Sequence, residues 1–299
     1  MILPDLAELL SLAAAARESA LPLARLAQGS LQGSHLSAHR GRGLEFQEVR
    51  PYVAGDDVRA IDWRVTARRG RPHTKLFREE RERPLWLLAD LDPGMFFGTR
   101  RQTKSAVVVR ACAFLAWVGF QMGDRVGAII ASGQEPRILP PRARERGVAE
   151  LLGSLLDGQP TAPAVPTKDN LAKALRRLAH LARPGSAIIA LSDFANLDEE
   201  CGALWSALAA HSESRLLWVT DDLEEQGLPG GRYRVGLPGR SLAIDGERVR
   251  AAWQRAWQER EARLNRLAQQ SGTLVVRLRT RESVPEALRE SLQAWRFAA

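Results

Sequence analysis

Leu85-Trp86-Leu87-Leu88-Ala89-Asp90-Leu91-Asp92 decides the fold. Five apolar residues run without alternation and then give way to two acids. A strand buried on one face alternates apolar with polar residues, whereas a strand covered on both faces reads as a continuous apolar run. Pro84 before the run and Pro93-Gly94 after it hold it to strand length. It therefore reads as a central strand of a parallel sheet.

Downstream, helix and strand patterns alternate. The spacing predicts a helix over 103–122, apolar nearly all round and so central, then a strand over 125–131 after the Gly123-Asp124 turn. Residues 136–139 return beside that strand as a hairpin. Helices over 142–156 and 168–182 bracket a Pro-rich loop, 159–166. A strand over 186–191, a helix over 198–210, a strand over 215–220 and a hairpin-like stretch over 233–244 follow. A long helix over 247–270, a strand over 273–278 and a last helix over 284–297 complete the pattern. Buried strands alternating with helices predict an α/β fold, with a mostly parallel central sheet and helices on both faces. In such folds the working surface lies at the carboxyl ends of the strands. Asp90-Leu91-Asp92, Ser132-Gly133, Ser192-Asp193 and Thr220-Asp221-Asp222 all fall there.

Upstream, residues 5–28 carry leucines at amphipathic-helix spacing, broken at Pro22, and are expected to dock on the main domain. Residues 29–42 read as an exposed loop. Gly43 to Arg68 is denser: Glu45, Arg50, Asp56, Asp57, Arg59, Asp62, Arg64 and Arg68 stand among Phe46, Tyr52 and Trp63. Unpaired buried charges are costly, so this segment must be solvated or satisfy its own charges. Asp56-Asp57 could cap a short helix, with Asp62 and Arg59 engaged with Arg64 and Arg68. Phe46, Tyr52 and Trp63 would anchor the segment, leaving arginine and glutamate side chains as a surface for a partner. Residues 73–83 read as an edge strand with a wet outer face. Two parts are expected: 1–83, holding the first helix, the loop and this segment, and 84–299, the α/β domain.

Composition bounds the function. The 299 residues, 45% hydrophobic, supply an ample core without metal or disulfide staples. Cys112 and Cys201 read as buried thiols of a reducing compartment, so a cytoplasmic setting is expected. The formal charge is +8, but basic residues are interleaved with acids throughout rather than clustered, and no nucleic-acid partner is expected. The N-terminus lacks the basic start of a signal peptide. The apolar stretch 106–122 is interrupted by Arg110 and falls short of a membrane span. Of the histidines, only His35 and His39 have metal-ligand spacing, and they lie in the loop. Gly41-Arg42-Gly43 lacks the strand and helix of a nucleotide loop. Trp253, Trp257, Leu264 and Leu267 follow helical spacing and read as core.

The acids at the strand ends have two elementary readings. Asp and Ser after strands commonly cap the next helix, as Asp193 or Asp198 would. Alternatively, Asp90, Asp92 and Asp193, with Thr167 and Asp169 before a helix, would converge as oxygen ligands for a hard cation such as Mg2+.

Glu45-Phe46, Arg50-Pro51-Tyr52, Gly55-Asp56-Asp57-Val58-Arg59, Ile61-Asp62-Trp63 and Ala67-Arg68, followed by Gly123-Asp124-Arg125-Val126-Gly127 and Leu191-Ser192-Asp193-Phe194, resemble the signature of the domain-of-unknown-function family fifty-eight. That family is similar to von Willebrand factor A domains, and its members are often encoded beside MoxR-type AAA+ ATPases. The resemblance implies a non-enzymatic interaction module working with such an ATPase in maturation or remodelling of other proteins. It also implies a metal-ion-dependent adhesion site, here degenerate. Asp90 holds the first place, Asp92 and Gly94 replace the two serines, the threonine place falls near Asp169 and Thr167, and Asp193 is the later acid. The strand followed by Asp-x-Asp also resembles haloacid-dehalogenase-type phosphotransferases. In that reading Asp90 is nucleophile, Asp92 acid/base, Ser132 follows the second strand, and Asp193 and Asp198 hold magnesium.

Overall fold

The computed structural model of the chain describes residues 3–18, 44–53, 58–79, 84–167, 169–237 and 240–294. The predicted loop 29–42, with His35, His39 and Gly41-Arg42-Gly43, lies outside them, as do Asp56 and Asp57. The chain divides into two compact units, one of Met1–Ala27 with Arg83–Ala299 and one of Gln28–Glu82.

The larger unit is built on a six-stranded sheet. Its strands are β3 (Pro84–Asp90), β4 (Arg125–Ala131), β5 (Arg137–Arg142), β6 (Ala187–Ser192), β7 (Glu213–Thr220) and β10 (Leu274–Arg279), in the order β10-β7-β6-β3-β4-β5. All neighbours are parallel except β5, which returns antiparallel beside β4, as the hairpin reading expects. The expected α/β class is what is observed.

The unalternating run at Leu85 now has its cause. Side chains of successive strand residues point to opposite faces. Leu85, Leu87 and Ala89 join one buried cluster, while Trp86 and Leu88 join the other. The first cluster takes α1 (Leu6–Glu18), α3 (Lys104–Gln121), α4 (Glu145–Gly158) and α9 (Val284–Ala294). The second takes α5 (Asn170–Leu181), α6 (Glu199–Ala209) and the long α8 (Gly246–Ser271). Leu264, Leu267 and Trp257 of α8 pack into that second cluster, as expected. Helix α3 is long and apolar enough to cross a membrane by length and composition, and 83% of it is buried inside the fold.

Helix α1 belongs with the α/β unit rather than with the signature segment, so the division differs there from the expected boundary at 83/84. Leu9, Leu12 and Ala16 enter the first cluster. Trp117 Nε1 donates to the Leu9 carbonyl at 3.0 Å, and the Arg110 guanidinium pairs with Glu8. Arg110, which interrupts the apolar stretch, is thereby explained as the anchor for α1. A short α7 (Asp222–Gln226) follows β7, and β8 (Arg232–Leu237) pairs antiparallel with β9 (Arg240–Asp245).

In the smaller unit, β1 (Leu44–Pro51) pairs antiparallel with β2 (His73–Glu79) as a separate two-stranded sheet. Residues expected as an edge strand thus form half of this ribbon. Between its strands lies α2 (Trp63–Arg69). Asp62 caps it by accepting from the Arg64 and Val65 N–H groups, and Gly70, with φ 68°, closes its end in the left-handed conformation that glycine adopts without cost.

Candidate functional site

Strand order places the switch point of the sheet beside β3, which has β4 on one side and β6 on the other. In this architecture that crevice is where a site is expected. Ala89 pairs with Leu191, so Asp90 and Ser192 emerge side by side at the carboxyl ends. Ser192 Oγ donates to Asp90 Oδ2 at 2.5 Å, and the Asp92 N–H donates to Asp90 Oδ1 at 3.2 Å. Asp92 accepts the Gly94 N–H at 2.9 Å on one oxygen and the Thr167 N–H at 2.8 Å on the other. Asp193 accepts the Ala195 N–H at 2.9 Å on Oδ1. Its backbone is pinned by Trp218 Nε1, which donates to its carbonyl at 3.0 Å. Phe194, the next residue, is buried at φ 51°, a strained left-handed setting for a bulky residue.

The structure thus brings Asp90, Asp92 and Asp193 to one junction. Thr167 reaches it through its backbone N–H rather than as a hydroxyl ligand. Asp169 is exposed, with left-handed backbone at φ 62°, and makes no side-chain cap.

Sequence reading missed the residue at the centre. Lys104, the first residue of α3, is 2% exposed. Its ammonium pairs with Asp193 Oδ2 and lies 2.9 Å from Glu224 Oε1 of α7. The Phe97 ring stands 5.6 Å from its Nζ, and Arg260 of α8 approaches Glu224 at 3.5 Å. A signal was there: a lysine in the first turn opposes the helix dipole, which favours acids at that end, and it opens an otherwise apolar helix.

These neighbours set the charges. Burial alone would neutralise Lys104, but Asp193 and Glu224 reverse that and hold its pKa above the usual lysine value. Burial likewise pushes against ionised Asp193, yet Lys104 keeps its carboxyl below the usual range. Asp90 lacks such a cation. Burial first, then the Asp193 charge, raises it to about 7, against the Ser192 and Asp92 hydrogen bonds.

The donors present do not fit the divalent cation that the resemblance implies. Among the described residues, no group of three or more histidine, cysteine, aspartate or glutamate side chains is arranged to hold a metal ion. Each carboxylate oxygen of Asp90, Asp92 and Asp193 already accepts a bond from the protein. A side chain at Gly94, the second serine place, would meet Pro166 Cγ at 3.1 Å and Asp92 Oδ1 at 3.2 Å, so both neighbours would have to give by a few tenths of an ångström.

The phosphotransferase reading finds no support in this geometry. Asp198 caps α6, accepting from the Cys201 N–H at 2.8 Å on Oδ1.

In the smaller unit, Trp63 is 68% exposed at the start of α2 and does not serve as the expected anchor. Asp62 holds the helix start through the backbone, which leaves the indole outward. Arg59, Arg64 and Arg68 are exposed with it, Tyr52 and Arg50 are half-buried, and Val53 and Val58 are exposed. The side chains of Glu45 and Phe46 in β1 lie outside the described part of the structure.

Solved structures similar to the chain include "conserved hypothetical protein BatB" from Bacteroides thetaiotaomicron, with 14% identity and a TM-score of 0.45 over 72% of this chain and 100% of that one. Another is an "Uncharacterized Membrane Spanning Protein" from Vibrio fischeri, with 20% identity and a TM-score of 0.22 over 70% of this chain and 95% of that one. "Uncharacterized protein Rv1480" of Mycobacterium tuberculosis and "Uncharacterized protein Mb1516" of Mycobacterium bovis are each 35% identical over 183 residues, 61% of this chain. The match spans 57% of the length of these relatives. The model of the family described as "Protein of unknown function DUF58" matches residues 48–263, which take in α2 with Trp63, the strand ends of β3 and β6, and most of α8, and the chain belongs to that family.

Proposed function

We propose that the chain is a non-enzymatic protein-protein interaction module, acting in the cytoplasm with a MoxR-type AAA+ ATPase in the maturation or remodelling of other proteins. The observation that carries the reading is Trp63, a large indole held outward on a doubly capped helix and flanked by exposed Arg64 and Arg68. Tryptophan and arginine dominate interface hot spots, and a solvated indole without a partner is an unfavourable surface. The arginines suit an acidic partner surface. The two buried, unpaired thiols suit a reducing compartment. At the strand ends, the acids are engaged with the protein's own donors, so the reading rests on the α2 surface.

The test is affinity capture from the native cell with mass-spectrometric identification. Wild-type protein is expected to retain an AAA+ ATPase, and Trp63→Ala combined with Arg64→Glu to lose it by at least about tenfold, a hot-spot-sized effect. Capture of no ATPase, or equal capture by both proteins, refutes the proposal.

A further inference from the structure

We infer that Lys104 is a built-in replacement for a divalent cation: its ammonium, tethered to the first turn of α3, clamps the end of β6 to α7, and the native protein takes no magnesium at this junction. Three independent features lead there. The first is placement. Nζ meets Asp193 after β6 and Glu224 after β7, so one cation joins the loops of two neighbouring strands, as a bridging metal would. The second is exclusion. The ammonium is 2% exposed and already fills the cation's place against Asp193, while Asp90 and Asp92 are bonded to Ser192 Oγ and to backbone N–H groups. The third is the loss of metal donors. Asp92 and Gly94 stand where the two serines would, and a side chain at Gly94 would meet Pro166 Cγ at 3.1 Å.

A buried ammonium is tolerated only when paired, and a buried carboxylate only when its charge is met. Lys104 and Asp193 satisfy each other. A metal that bridges two proteins needs an open coordination position for the partner's carboxylate; a buried ammonium offers none. Recognition by metal bridging is thus unavailable at this end of the sheet, whatever partner the α2 surface takes.

The inference makes a specific reversal testable. Removing the lysine side chain leaves an anionic hole of cation size lined by Asp193 and Glu224, with Asp90 and Asp92 beside it. Thermal melts of wild-type protein are expected to agree within about 1 °C in excess Mg2+, Mn2+ or EDTA, because a ligand shifts Tm only if the native state binds it. Lys104→Ala is expected to melt lower than wild type and to regain at least about 3 °C in millimolar Mn2+ or Mg2+, and to lose that gain when Asp193→Asn is added. A folded Lys104→Ala that gains nothing from either ion overturns the inference. So does a wild-type Tm that rises with Mg2+ and stops rising in Asp193→Asn. Should Lys104→Ala not accumulate as folded protein, Mn2+ titration of the wild type read by electron paramagnetic resonance decides. Absence of binding upholds the inference, and one tight site removed by Asp92→Asn refutes it.

Discussion

Asp221 shows how a single buried acid is made to hold together parts of the chain far apart in sequence. It follows β7, is fully buried, and caps α7 by accepting the Leu223 N–H at 2.9 Å. It also accepts the Thr99 N–H and hydroxyl at 2.9 and 2.6 Å, and the hydroxyl of Thr280. Burial pushes its pKa up, but the Thr280 and Thr99 hydroxyls and the two N–H groups outweigh burial and hold the carboxyl below its ordinary value of 3.8. A group with a depressed native pKa contributes stability that is fully present above the unfolded value and is lost as pH falls through the native one. Both carboxylate oxygens face a backbone N–H, so an amide turned either way sets its NH2 against a donor. Asp221→Asn is expected to cost about 1–3 kcal/mol at neutral pH. The difference from wild type should shrink as pH falls below 3.8, measured by urea unfolding across pH. A cost that stayed constant with pH would show that the carboxylate charge is not what stabilises. At this scale the acids were legible in the sequence, since turn residues after buried strands are few and conspicuous. Their partners were not. Nothing in local spacing could say that Thr99 and Thr280 meet Asp221, or that Lys104 meets Asp193 and Glu224, because those pairings are made by the order of strands.

At the scale of elements, periodicity read the sheet well because its inner strands are buried on both faces. Leu85–Ala89 could be read as central without knowing its neighbours, since only coverage from both sides permits an unalternating run. Of the leucine pattern over 5–28, the part up to Glu18 forms α1, and residues 19–28 lie outside the described part of the structure. The energetic content of α1 lies in its inner face. Leu9 is fully buried in the cluster around α3, and its carbonyl is bound by Trp117; Leu10, the next residue, is 44% exposed. Leu9→Ala is expected to destabilise by about 2–5 kcal/mol, the usual range when a core leucine is truncated and the site cannot collapse. Leu10→Ala is expected to cost less than about 1 kcal/mol. Urea midpoints at unchanged slope would measure both. Equal effects would mean that α1 does not dock as a core element.

On the scale of the whole molecule, the chain divides into two compact units of different build. Among the described residues, the first buried cluster of the larger unit draws on Leu9, Leu12 and Ala16 together with residues from Leu85 onward, and the second on residues from Trp86 onward. The smaller unit carries the outward Trp63 and the arginines of α2. The sequence singled out this segment because its density of charge and aromatics suits no core element. It misjudged the direction of Trp63 because an indole in isolation reads as an anchor, and only the Asp62 cap fixes which way it faces. If the division is energetic as well as geometric, replacing Gln28–Glu82 by a Gly/Ser linker should leave the larger unit standing. About 20 linker residues span roughly 25 Å as a flexible coil. Calorimetry of this variant is expected to give one cooperative transition with Tm within about 3 °C of the corresponding wild-type transition. ATPase capture should disappear. Loss of cooperative unfolding would show that the smaller unit completes the core. Retained capture would move the recognition surface onto the α/β unit, where the strand ends closed by Lys104 would have to be examined first.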